Sequence, residues 1–87
     1  MSAPLRVRKR PVVVEAFRYD GTNSDAIVAW AGAAGRTDLR GRLIITTFEG
    51  DHIAEPGDYV MRGTRGEFYP IKPQVFADVY DLVGEGS

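Results

Sequence analysis

Cysteine is absent from the 87 residues, which excludes a disulfide framework, thiolate metal centres and a cysteine nucleophile. The single histidine, His52, leaves too few imidazoles for the common zinc sites. No metal or other cofactor is therefore expected. No apolar run is long enough to cross a bilayer and no signal-peptide core is visible, so the expected location is the cytoplasm, away from membranes. Internal repeats and low-complexity tracts are also missing. So is a strong charge of either sign: the formal net charge is −1.

One domain spanning 1–87 is the reading that this length supports, with 1–9 as a basic lead-in and 84–87 as a frayed tail. So small a chain buries only roughly 60–65% of its unfolded surface, and association into a homo-oligomer would add to a modest core. The charge is unevenly placed. Residues 1–40 carry seven basic and four acidic side chains, whereas 41–87 carry four basic and eight acidic ones. Arg6, Arg8, Lys9 and Arg10 form the only basic cluster. Such an arm can touch phosphates, but it lacks interleaved aromatics and the domain as a whole is not basic. Nucleic acid is not an expected partner.

From Pro11 to Tyr19 the run of Val12, Val13, Val14, Phe17 and Tyr19 predicts a strand apolar on both faces. Thr22 and Asp25 have capping-box spacing, and Ile27, Trp30, Ala31 and Ala34 fall on one helical stripe, with Gly35 as its end. The Trp30 ring is expected to pack on a sheet. Arg36 to Gly41 reads as a loop, Leu43 to Phe48 as a strand, and Glu49-Gly50-Asp51 as a reversal leading back through His52. Pro56-Gly57 predicts a type II turn, because Pro pre-sets φ and Gly accepts a positive φ. Tyr59–Arg62, a tight turn at Gly63–Gly66 and Glu67–Ile71 make a hairpin. Pro73 opens a short helical turn through Ala77, and Val79–Val83 reads as a closing strand. The fold class expected is α+β: a small, curved, mostly antiparallel sheet of five to six short strands with one helix packed on it.

Two groups of residues invite a chemical reading. Glu49, Asp51, His52 and Glu55 gather acids around the imidazole, but Asp51 and His52 are strand neighbours whose side chains diverge. No serine is placed to act as nucleophile, so a solvated hairpin tip is favoured over catalysis or a weak cation site, and the chain is not expected to be an enzyme. Gly57, Gly63 and Gly66 match neither phosphate-binding spacing and are read as turn glycines. The hairpin is the better candidate. Arg62, Arg65, Glu67, Tyr69 and Lys72 join cations to an aromatic ring, as a site for a stacked base and a phosphate requires. Alternation puts Glu67, Tyr69 and Ile71 on one face and Phe68 on the other, so one face is expected in the core and the other open.

The string from Pro56 to Phe76 reads Pro-Gly-Asp-Tyr-x-x-x-Gly-x-x-Gly-Glu-Phe-Tyr-Pro-x-Lys-Pro-x-x-Phe. With the segment Arg8 to Ala16 and the Glu-Gly-Asp turn, it resembles a family of small proteins of tailed phages and prophages. The resemblance covers most of residues 6–82. It also extends to the group named for a Pro-Gly-Asp-Tyr-Gly motif, although Val60 replaces the final glycine. The resemblance implies action by binding in the host cytoplasm rather than a particular activity. The leading expectation is an accessory phage protein that sequesters a nucleotide-like immune signal through those five hairpin residues. The alternative is a module that docks on a host or virion protein.

Overall fold

A computed structural model describes residues 3–8 and 10–83. The tail at 84–87 and Lys9 of the basic lead-in lie outside the described residues. Along the chain come β1 (Glu15–Arg18), α1 (Ser24–Ala31), a 3-10 turn (Gly32–Ala34), β2 (Gly35–Thr37), β3 (Leu43–Thr47), β4 (Gly50–Ala54), β5 (Tyr59–Arg62), β6 (Phe68–Ile71) and α2 (Pro73–Val79). The strands form two antiparallel sheets of three, ordered β1-β5-β6 and β2-β3-β4, so the expected α+β class holds while the strands divide into two sheets.

The shared core explains the division. Ile27 of α1 is fully buried with Leu43 and Ile45 of β3, Ala54 of β4 and Val60 of β5, and Tyr19 closes one side. Full burial of such side chains contributes about 1.5–3 kcal/mol each. Trp30 joins the helix to the β1-β5-β6 sheet: its ring lies 5.5 Å from Phe17 and 5.0 Å, edge-on, from Phe68. Ile27, Trp30 and Ala31 face inward as the sequence predicts, but the helix ends earlier than Ala34: Gly32, at φ +62°, caps it, and Gly35 is extended and opens β2.

Four further local expectations are corrected. The helix is not entered through a Thr22–Asp25 capping box. Instead Thr22 donates to Asp20, while Asn23 accepts the Asp20 N–H and donates to the Arg18 carbonyl, tying the entry turn to the end of β1. The first strand is shorter than 11–19 because its partner runs out: the register ends at Glu15 opposite Arg62, and the chain turns at Gly63. Within the polar stretch 36–41, Arg36 and Thr37 belong to β2, because Arg36 reaches across to Thr46 at 3.2 Å and Asp51 at 2.6 Å. Val79–Val83 is not a strand. Phe76 and Tyr80 stand four residues apart, a helical spacing, and the Tyr80 N–H donates to the Phe76 carbonyl, so the helix runs on to Val79.

The face of the β1-β5-β6 sheet turned away from α1 carries a second small cluster. Ala16, Met61 and Tyr69 are cross-strand neighbours, and Met61 is only 1% exposed. α2 covers them with an aromatic stack, Phe76 lying parallel to Tyr59 at 3.7 Å and Tyr80 following at 5.6 Å. The face expected to be open is thus partly roofed.

Candidate functional site

Between the β3–β4 tip and β6 lies a pair of adjoining depressions. The chain reverses at Phe48-Glu49, where the Thr47 hydroxyl donates to the Gly50 carbonyl at 2.8 Å and accepts the Glu49 N–H at 3.0 Å. With its backbone pinned in this way, the tip holds the Phe48 ring out in solvent, 78% exposed. One depression, about 180 Å³, is lined by Thr47, Phe48, Glu49, Glu67, Phe68 and Tyr69. The other, about 230 Å³, adds His52 of β4 and Pro70. Asp51 points to the opposite face of its sheet, held by Arg36 and Thr46, so the divergence of Asp51 and His52 holds. The Arg36 hydrogen bond, then that of Thr46, keeps the Asp51 carboxyl below its ordinary value.

The five hairpin residues do not converge. Glu67 and Tyr69 line the same depression, but Arg62 pairs with Glu15 at 3.2 Å on the far strand. Lys72 stands past the other end of β6, four residues beyond the level of Arg62 and so about 13 Å along the strand direction, where it reaches Glu55 at 3.3 Å and Asp58 at 3.2 Å. Hydrogen bonding to Asp58, reinforced by Glu55, raises the Lys72 pKa. Arg65 is exposed at the hairpin turn and takes part in none of the ion pairs found among the described residues. The Glu67 carboxylate accepts the Arg65 N–H at 2.9 Å and folds over Gly63, where a Cβ would collide with it. Burial, then hydrogen bonding to Tyr80, pushes the Tyr69 hydroxyl up to about 12.

Most of the long string has an internal partner. Pro56-Gly57 forms the expected turn, with Gly57 at φ +98° and the Asp58 N–H bonded to the Glu55 carbonyl. Asp58, 3% exposed, returns a carboxylate oxygen to the Glu55 N–H at 2.9 Å and anchors Lys72. Tyr59 stacks on Phe76, Phe68 meets Trp30 edge-on, and Pro73 opens α2. Sequence reasoning missed Asp58, Phe48 and Tyr80. The i, i+4 spacing of Phe76 and Tyr80 was the available signal for one of them, whereas the exposure of Phe48 has none.

Chemically, the first depression offers an exposed ring with Glu49 beside it and Glu67 in the wall, the latter's carboxylate turned to the Arg65 N–H, while the adjoining one adds an imidazole. That suits an ammonium or guanidinium group, which an aromatic face and a carboxylate both attract. Ligand pockets for drug-sized molecules run to about 300–1,000 Å³, larger than either depression. Among the described residues no group of three His, Cys, Asp or Glu is placed to hold a metal ion, and no helix is long and apolar enough to cross a membrane. No family model matches the chain, and no curated protein or solved structure does so.

Proposed function

We propose that this protein is a non-catalytic docking module that receives a basic segment of a partner protein at the β3–β4 tip. The observation that carries the reading is Phe48, an exposed ring next to the exposed Glu49 on a backbone fixed by Thr47, over a depression that Glu67 also lines. Exposed aromatic anchors of this kind supply much of the energy of protein interfaces. The phage resemblance points to a host or virion protein as the partner. Sequestration of a nucleotide-like signal draws less support: Arg62 and Lys72 already neutralise acids of the chain, and the depressions at the tip are lined by Glu49 and Glu67 rather than by any cation.

The test is affinity capture from producing cells with three proteins: wild type, Phe48→Ala and Glu49→Lys. Both substituted residues are exposed, so folding is left intact. A stoichiometric protein captured by the wild type and lost with either variant supports the reading. A partner retained by both variants overturns it. So does calorimetric binding of cyclic dinucleotides or ADP-ribose derivatives with no protein partner captured.

A further inference from the structure

Residues 3–8 lie outside every helix and strand, and they are amphipathic with a period of two. Leu5 and Val7 alternate with Arg6 and Arg8, and the two apolar side chains are 86% and 84% exposed. The chain as a whole is more extended than a compact one of its length. The radius of gyration is 15.2 Å, against about 12 Å for a compact chain of this length.

At the root of the arm lies the largest cavity described, a groove of about 480 Å³ between residues 10–13 and 79–83. Val12, Val13, Val79, Tyr80 and Val83 line it, and four of those valines remain 55%, 75%, 59% and 61% exposed. Asp81 stands at its rim, with Asp78 exposed on the same stretch; Arg10 forms part of the other wall. So the molecule shows an exposed strand-like segment that is apolar on one side and basic on the other. It also shows an exposed groove lined mainly by valines, with Asp81 in one wall and the exposed Asp78 close by in sequence. The two are complementary in hydrophobicity, and the arm's arginines are complementary to Asp78 and Asp81.

We infer that two copies of this chain associate by exchanging their N-terminal arms. Leu5 and Val7 of each copy enter the groove of the other, and Arg6 and Arg8 face Asp78 and Asp81. The arrangement is reciprocal, as a twofold interface requires: the same two surfaces of each chain are used once in each direction. It buries apolar side chains that a small monomer leaves in water. It uses a surface separate from the Phe48 tip, so the two sites can be occupied together.

The test is the mass in solution of the full chain, by light scattering after size exclusion and by sedimentation, at tens of micromolar. The wild type is expected at twice 9.6 kDa. The pair Leu5→Asp with Val7→Asp, and separately Val79→Asp, should weaken association about tenfold or more, as loss of a central apolar anchor does. All three residues are largely exposed, so a folding defect does not confuse the result. Charge reversal gives an independent arm. Arg6→Glu with Arg8→Glu, or Asp78→Lys with Asp81→Lys, should each weaken the dimer, and all four changes in one chain should restore it. A wild-type monomer, whether its arm is free or folded into its own groove, overturns the inference. So does a dimer indifferent to both the apolar and the charge-reversal changes.

Discussion

At the scale of single residues, the side chains that combine charge with aromatic character are mostly engaged inside the molecule. Tyr69 is the clearest case. Burial and its Tyr80 neighbour raise its hydroxyl to about 12, against an ordinary value of 10.0. A phenol whose pKa is raised on folding stabilises the folded state fully below its unfolded value, and that contribution is lost as pH climbs from about 10 toward about 12. Spectrophotometric titration at the phenolate band should therefore show one late tyrosine. Tyr80→Phe should move that transition to lower pH; a late transition unchanged in Tyr80→Phe removes Tyr80 as its cause. The sequence placed Tyr69 and Glu67 correctly on one side of the hairpin. It did not reveal that Arg62 and Lys72 have carboxylates of their own, because Glu15 lies 47 residues from Arg62 and Glu55 lies 17 from Lys72.

At the scale of elements, the turn at Pro56-Gly57, the β5–β6 hairpin and the start of α2 form one clasp around Asp58. Its carboxylate holds the Glu55 N–H on one side and Lys72, the residue before α2, on the other. Lys72→Met should leave a nearly buried carboxylate short of its cation and lower stability, an effect kept small because the ammonium is exposed and screened by solvent. Urea unfolding measures it, and stability equal to wild type would show that water serves Asp58 as well as Lys72 does. Elements with a strong local signal were legible: the turns carried by Pro-Gly and Gly-x-x-Gly, the stripe of α1, and the β-branched run of β3. Those decided by distant partners were not. β2 is polar and becomes a strand because β3 offers an edge and Thr46 and Asp51 receive Arg36. The end of α2 is decided by an aromatic stack on Tyr59, a residue of β5.

At the scale of the whole molecule, the two sheets are built on different spans of chain. β3–β4 and β5–β6 are hairpins, closed by neighbours, whereas β1 reaches β5 across most of the domain. The Lys72–Asp58 contact spans 14 residues and the Arg62–Glu15 contact 47. Closing the longer loop costs about 1 kcal/mol more in chain entropy. The consequence is an order of events. The hairpin and α2 can assemble before the N-terminal strand arrives, and β1 is expected to open before the rest of its sheet. Amide hydrogen exchange should report this directly, with Glu15–Arg18 losing protection at lower free energy than Val60 and Met61 at the centre of the same sheet. Equal protection across the three strands would mean that the sheet opens as one unit. With β1 close to the root of the arm, a partner copy that grips the arm would raise the protection of that strand toward that of the core strands.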